Sequence, residues 1–143
     1  MDKFFKILIF IFFSFLFLFT KVLALEEKIK IGLLVPLTGE DNEIGHEILQ
    51  ATRIALKDIN SGKLEIYPKD TNSDPNKTIR SAKELKDIGV KIIVGPVFYK
   101  SLTYLDEIQD IIFVSLTNKT LKLPNNVISG GVNATSQLNT IKK

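Results

Sequence analysis

The sequence contains no cysteine and only one histidine among its 143 residues. The lack of cysteine excludes structural disulfides, thiolate nucleophiles, iron–sulfur clusters and cysteine-ligated zinc sites. It also excludes a lipid-anchored lipoprotein, because the lipid of such proteins is attached to a cysteine. A folded domain made from this chain therefore depends on a packed apolar core.

A basic surplus is also missing once the amino-terminal segment is set aside. The net charge is +3, but residues 1–24 hold three lysines and one aspartate, so residues 25–143 carry only +1. Nucleic-acid binding relies on a surplus of positive charge that neutralises phosphates. The balance of charge therefore predicts no nucleic-acid partner.

The first 24 residues are predicted to be a secretory signal peptide. Lys3 and Lys6 precede an apolar run over residues 7–19, and small residues stand at positions −3 and −1 of a cleavage site after Ala24. The alternative is an uncleaved membrane anchor, but a span needs about 20 apolar residues and this run is shorter. Export combined with the lack of disulfides indicates a bacterial periplasm.

Residues 25–143 show strand and helix patterns in alternation, enough for one domain of ordinary size. Strands are predicted over residues 28–35, 64–67, 90–94, 111–114 and, more briefly, 126–129, and helices over 44–60, 75–88, 101–110 and from 135 onward. This order predicts an α/β fold, a three-layer sandwich in which a parallel sheet has helices on both faces.

Local signals define two of the predicted helices. In the first, apolar residues recur every three or four positions and predict a buried stripe, formed by Ile44, Ile48, Ala51, Ala55 and Ile59. In the second, Asp74 is expected to cap the free backbone amides, and Pro75 suits the first helical position.

In a sheet of this type, ligands bind beyond the carboxyl ends of the strands. The corresponding loops are expected over residues 36–44, 70–74, 95–101 and 115–124, and their polar residues are mainly hydroxyls and amides. Such groups are suited to orienting a small ligand by hydrogen bonds, although exposed loops are polar in most proteins.

Signals for catalysis and for cofactors are weak. His46 lies in the first turn of the first helix, and neither Ser101 nor Ser115 stands in a Gly-x-Ser-x-Gly motif, so His46 is interpreted as an ordinary surface residue and not as a catalytic base. Acidic residues such as Asp70 and Asp74 are candidate ligands of a hard cation, but their spacing matches no calcium loop and structural use is favoured. No enzyme, metal or cofactor is predicted.

Four segments form an ordered series within residues 28–124: Ile29 to Gly39, Gly45 with the helix ending at Ile59-Asn60, Asp70-Thr71 with Asp74-Pro75, and Val90 to Pro96. Together they resemble type I periplasmic binding proteins of the leucine/isoleucine/valine class. This resemblance implies a lobe with flavodoxin-like strand order, the amino-terminal half of a two-lobed protein.

Members of that family close on a small solute and deliver it to the membrane permease of an ABC transporter. The resemblance implies that the loops after the first, third and fourth strands contact the ligand. By motif position the implied ligand-binding residues are Thr38, Tyr99, Ser101, Thr117, Asn118 and Thr120. Two lobes need more than twice the 119 residues after the signal peptide, so residues 25–143 are expected to be a truncated amino-terminal lobe.

A second relative remains open. Two loops differ from those of amino-acid-binding members: residues 97–101 stand where that family has a loop rich in Ser and Gly, and residues 115–120 stand where it has a pattern like Ser-Pro-x-Ala-Thr. Residues 125–133, followed by Gln137, are similar to the penicillin-binding-protein activators, which share the lobe architecture. That resemblance implies a periplasmic regulator whose partner is a cell-wall synthase.

Overall fold

The computed structural model describes residues 3, 28–119, 122–131, 137–138 and 141. Five strands and two α-helices form an α/β lobe: β1 (Ile29–Val35), α1 (Asn42–Ile59), β2 (Leu64–Asp70), α2 (Pro75–Asp87), β3 (Ile92–Val94), β4 (Ile112–Ser115) and β5 (Val127–Ser129). Two 3₁₀ turns, Tyr99–Leu102 and Leu105–Glu107, connect β3 to β4. The predicted helix from residue 135 onward falls mostly outside the described residues.

All four strand pairings are parallel, and the strand order is β2-β1-β3-β4-β5. This is the flavodoxin-like order, and it confirms the predicted fold class. Because the chain leaves β1 toward β2 on one side and later returns to β3 on the other, the loops after β1 and β3 diverge at the carboxyl edge of the sheet. A crevice is expected at such a divergence.

Strand β2 is longer than the sequence pattern predicts. It continues through Pro68 to Asp70, and Pro68 lies opposite Leu33 in the register with β1. Proline has no N–H to donate to a second neighbour, but β2 is an edge strand of the sheet and has no second neighbour. The extension matters for the site, because it brings Asp70 level with Val35 at the carboxyl edge.

The main core lies between α2 and one face of the sheet. Ile93, Phe113 and Val127 are aligned neighbours across three strands, and all three are buried. Leu85 of α2 packs in the same cluster. Asp74 accepts a hydrogen bond from the Lys77 amide at 2.7 Å and precedes Pro75 at the start of α2, which confirms the predicted cap.

The opposite face of the sheet is covered only in part. Helix α1 contacts β1 there, but Ile112 and Ile128 are 49% and 57% exposed farther along that face. The predicted buried stripe of α1 is wrong: Ile44 and Ile59 are exposed, as are Ala51 and Ala55, and Ile48 is half-buried. Gly45 is the only residue of this helix that is fully buried, and its Cα lies against the carbonyl of Pro36.

The predicted helix over residues 101–110 is also wrong. Tyr104 has a left-handed backbone (φ 66°) and separates the two 3₁₀ turns. The Asn126 side-chain amide donates to the carbonyls of Leu105 and Ile108, at 2.9 and 3.0 Å, and so fixes the second 3₁₀ turn to the residue that precedes β5. Leu105 and Ile108 are nevertheless buried, as the pattern of apolar residues predicts.

Candidate functional site

The loops that follow β1 and β2 are joined by the side-chain carboxylate of Asp70. Its Oδ1 atom accepts from the backbone amides of Leu37, Thr38 and Asn72, at 2.7, 3.2 and 2.9 Å. Its Oδ2 atom accepts from the Thr38 hydroxyl at 2.6 Å and from the Lys77 ammonium. Asp70 therefore joins the loop after β1 to the loop after β2 and to the first turn of α2.

The electrostatics of Asp70 follow from these contacts. Burial by itself raises the pKa of the carboxyl, but the Lys77 ammonium, the Thr38 hydroxyl and the amides of Asn72 and Leu37 outweigh burial. Together they hold the pKa of Asp70 well below its ordinary value of 3.8. Asp70 is thus a charged structural group, and its oxygen lone pairs are already engaged within the chain.

The loops after β3 and β4 are joined to each other in the same way. The buried Ser115 hydroxyl donates to the carbonyl of Pro96 at 2.9 Å, and the Leu116 amide donates to that carbonyl at 3.1 Å. The peptide bond before Pro96 is cis, and Gly95 has φ 104° with its Cα close to the carbonyl of Leu34. A side chain at position 95 would meet that carbonyl, so only glycine fits there.

The loop after β4 is also fixed to β5. Thr117 is buried, its hydroxyl accepts from the Lys119 amide at 3.3 Å, and its carbonyl accepts from the Ser129 hydroxyl at 3.0 Å. The Cα of Gly131 lies against the Thr117 carbonyl. These contacts determine where the backbone of residues 117–119 enters the crevice.

A cavity of about 420 Å³ opens at this edge of the sheet, between the loops after β1, β2, β3 and β4. Its wall is made by six residues with aromatic, hydroxyl and charged side chains: Asp41, Ser73, Phe98, Tyr99, Lys100 and Lys119. The Lys119 ammonium lies 3.8 Å from the centroid of the Tyr99 ring, a cation–π contact. The Ser73 hydroxyl donates to Asp41 at 2.7 Å, which joins the loops after β1 and β2 a second time. The volume is within the range of small-molecule sites.

Three of the residues that the family resemblance implies as ligand-binding lie at this edge of the sheet and are at least partly accessible. Thr38 and Asn118 are exposed on the loops after β1 and β4, and Tyr99 is half-buried in the cavity wall. Thr38 already donates its hydroxyl to Asp70. All three remain predictions as ligand contacts.

The other implied residues are placed differently. Ser101 is 1% exposed, and its hydroxyl has no hydrogen-bond partner among the described residues. Thr117 is also buried, and its hydroxyl accepts from the Lys119 amide. Thr120 lies outside the described residues. A ligand would reach Ser101 or Thr117 only after the loops move, and their assignment stays a prediction.

Three features of this site are not predicted from the sequence: the partners of Asp70, and the positions of Lys100 and of Lys119 in the cavity wall. Asp70 is recognised as a polar loop residue and a candidate cation ligand, but its partners lie 33 positions earlier and 7 later in the chain. Lys100 and Lys119 are not singled out, since lysines in loops are usually solvated. Only the convergence of four loops indicates that the two lysines line one cavity.

His46, the candidate catalytic base, is exposed on α1, among residues 46–54 that line a different and more open surface depression. The described part of the chain holds no group of three or more His, Cys, Asp or Glu side chains placed to bind a metal ion. Within the same residues, no helix is both long and apolar enough to traverse a bilayer.

Comparisons with known proteins agree with this fold. A family model described as periplasmic binding protein matches residues 28–141. The chain is similar to a leucine-binding protein, LivK, from Thermotoga maritima, at 22% identity and a TM-score of 0.57, with 62% of this chain and 27% of that chain covered. No curated protein matches the sequence significantly.

Two further solved structures are similar. A solute-binding protein of an ABC transporter from Rhodopseudomonas palustris, in complex with 3,4-dihydroxybenzoic acid, is 24% identical with a TM-score of 0.55, over 63% of this chain and 27% of that chain. The C-domain of LpoA from Haemophilus influenzae, a regulator of PBP1A, is 24% identical with a TM-score of 0.57. The match covers 72% of this chain and 32% of that chain. The chain thus spans about a quarter to a third of the structures that it matches.

Proposed function

Because the chain belongs to the periplasmic binding protein family, we propose that it is the amino-terminal lobe of an exported solute-binding protein, which takes up a small polar solute such as an amino acid. The observation that supports this proposal most directly is the cavity at the carboxyl edge of the sheet, built from four loops. Solutes bind at this edge in sheets of this order. In the proposal the second lobe closes over the solute, and the loaded protein docks on the membrane permease of an ABC transporter.

The polar groups around the cavity, and the hydrogen bonds that hold their loops in place, support a role in binding a ligand. The site offers hydroxyls, an amide and two ammonium groups on a framework held by Asp70 and Ser115. Such a framework positions hydrogen-bond donors for recognition. Two hydroxyls donate to carboxylates here, Ser73 to Asp41 and Thr38 to Asp70, but both hydrogen bonds join loops, and no chemical step is proposed.

The proposal is tested by titrating the isotope-labelled chain with a panel of amino acids and small carboxylates, and by following backbone amide shifts in NMR spectra. We expect shifts at Thr38, Tyr99 and Asn118 with at least one solute, at millimolar affinity or better. The Asn118→Ala variant should bind that solute severalfold more weakly, because Asn118 is exposed at the edge and supports no other described contact. Asn125→Ala, a second exposed asparagine, is the matched control.

The similarity to the LpoA domain favours a second candidate function, a periplasmic regulator that binds a cell-wall synthase. This candidate predicts that none of the panel shifts the crevice amides and that a purified bifunctional wall synthase broadens the spectrum of the chain. That pair of results would contradict solute capture, whereas solute shifts without any effect of the synthase would contradict the regulator.

We also propose that the chain is processed as it is exported, so that residues 1–24 are removed and the mature lobe begins at Leu25. A chain expressed as residues 1–143 and recovered from a periplasmic fraction should have lost the mass of residues 1–24. A charge at the −1 position prevents recognition by the processing enzyme, so Ala24→Asp should retain the segment, while Ala55→Asp on the exposed side of α1 should be processed normally. An unprocessed native chain in that fraction would contradict the proposal and favour an anchor.

A further inference from the structure

The charges around the crevice cavity identify a class of solute. The cavity wall contains two ammonium groups, Lys100 and Lys119, and one carboxylate, Asp41. Among the described residues, no carboxylate lies within ion-pair distance of either ammonium, whereas Lys28, Lys69, Lys77 and Lys86 each have such a partner. The cavity therefore has a net positive charge that the described chain does not neutralise.

Both lysines are exposed at the rim of the cavity, and one of them has an aromatic neighbour. Lys119 lies against the face of Tyr99, 3.8 Å from the ring centroid, and its backbone amide is bonded to the Thr117 hydroxyl. Lys100 is on the 3₁₀ turn that begins at Tyr99, so the ring and both ammonium groups belong to one wall. The aromatic contact holds the Lys119 side chain in one direction, which reduces the entropy that a ligand would have to remove.

The single acidic group of the cavity is engaged. The Ser73 hydroxyl donates to Asp41 Oδ2 at 2.7 Å, which leaves that carboxylate less available to a cationic ligand. Phe98 is half-buried and provides an apolar surface beside the lysines, whereas Tyr99 packs against the main core and has the Lys119 ammonium over its ring. A solute that fits this wall has a negative group for the lysines and an apolar or aromatic body for Phe98.

We propose that the crevice binds a carboxylate-bearing solute with a net negative charge, whose carboxylate is recognised by Lys119 and Lys100 and whose body packs on Phe98. This inference rests on the proposed function, since it names the solute class of the same site. Neutral solutes leave both ammonium groups unpaired, and cationic solutes are repelled by them.

The test uses three probes of one shape and different charge: benzoate, benzamide and benzamidine. Each is titrated into the labelled full chain, and the amides of residues 98–100 and 117–119 are followed. We expect benzoate to bind about tenfold more tightly than benzamide, and benzamidine to bind most weakly. Raising the ionic strength should weaken the binding of benzoate and leave that of benzamide unchanged.

Variants assign the charge preference to the two lysines. Lys119→Met should abolish most of the preference for benzoate over benzamide, and Lys100→Met should reduce it. Lys83→Met removes one charge from the exposed side of α2 and should retain the full preference. Lys100→Met should unfold at the temperature of the native chain, because Lys100 pairs with no described carboxylate. Lys119→Met should unfold within a few degrees of it, because the only described side-chain contact it loses is an exposed cation–π contact.

The outcomes separate this inference from the proposed function. If benzamide or neutral L-leucine shifts the crevice amides as strongly as benzoate, or if Lys119→Met retains the preference, the charge assignment is overturned while solute binding stands. If none of the probes or panel solutes shifts these amides, both proposals fail together. Equal loss of preference in Lys83→Met would also overturn the assignment, since it would indicate a general effect of net charge.

Discussion

We expect the Asp70→Asn variant to lose about 2–3 kcal/mol of unfolding free energy at neutral pH, which is a large part of the stability of a lobe of this size. The Oδ1 atom accepts three backbone amides, and the amide oxygen of asparagine can replace it there. The Oδ2 atom faces the Lys77 ammonium and the Thr38 hydroxyl, and in the variant an NH₂ group takes its place. In the variant the new NH₂ group, a hydrogen-bond donor, faces the Lys77 ammonium, and the negative charge that pairs with Lys77 is lost.

The loss should depend on pH in a definite direction. The folded-state pKa of Asp70 is below its ordinary value of 3.8, so the carboxylate contributes its full stabilisation above that ordinary value and loses it as the pH falls toward the folded-state pKa. The difference between the native chain and Asp70→Asn should therefore be constant from neutral pH down to about pH 5 and shrink below about pH 4.

Urea unfolding at several pH values between neutral and acidic measures this dependence. Asp87→Asn is the matched control, since Asp87 is exposed at the end of α2 and forms no described ion pair; it should change stability little at any pH. An equal loss at all pH values would contradict the charge argument, and no loss at neutral pH would contradict the role of Asp70 in joining the loops.

Asp70 also illustrates which parts of the site are predictable from the sequence. The strands, the cap at Asp74 and the helix start at Pro75 follow from residues that are neighbours in the chain, so local patterns suffice. The partners of Asp70 come from the loop after β1, over 30 positions away. Only the parallel register of β1 with β2 places Val35 beside Asp70 and brings that loop within reach.

The two wrong predictions have the same kind of cause. The break lies at Thr103 and Tyr104, whose backbones are not helical, and Asn126 holds the segment after it by donating to the carbonyls of Leu105 and Ile108 from about 20 positions away. The stripe on α1 fails because apolar residues occur on several sides of that helix, and periodicity alone does not decide which side meets the sheet. In the structure, helix α1 comes closest to the loop after β1 at Gly45, which lies against the carbonyl of Pro36.

The second large effect is therefore expected at Gly45. A Cβ atom built on this residue would overlap the carbonyl oxygen of Pro36, which belongs to the backbone and is not a movable side chain. Gly45→Ala should gain up to about 1 kcal/mol of helix propensity and lose more than that by overpacking, for a net loss of about 2 kcal/mol. The melting temperature should fall by roughly 10 °C.

Gly62→Ala is the matched control, because a Cβ at that position meets nothing within 4 Å and the residue does not have a positive φ. It should leave the melting temperature unchanged or raise it slightly by restricting the unfolded chain. If Gly45→Ala were as stable as Gly62→Ala, α1 would have to shift away from Pro36 at little cost. Since Pro36 begins the loop that contains Thr38 and Asp41, that shift would also move one wall of the crevice. A destabilised Gly45→Ala variant would instead show that the close approach of helix and loop supports both the fold and the site.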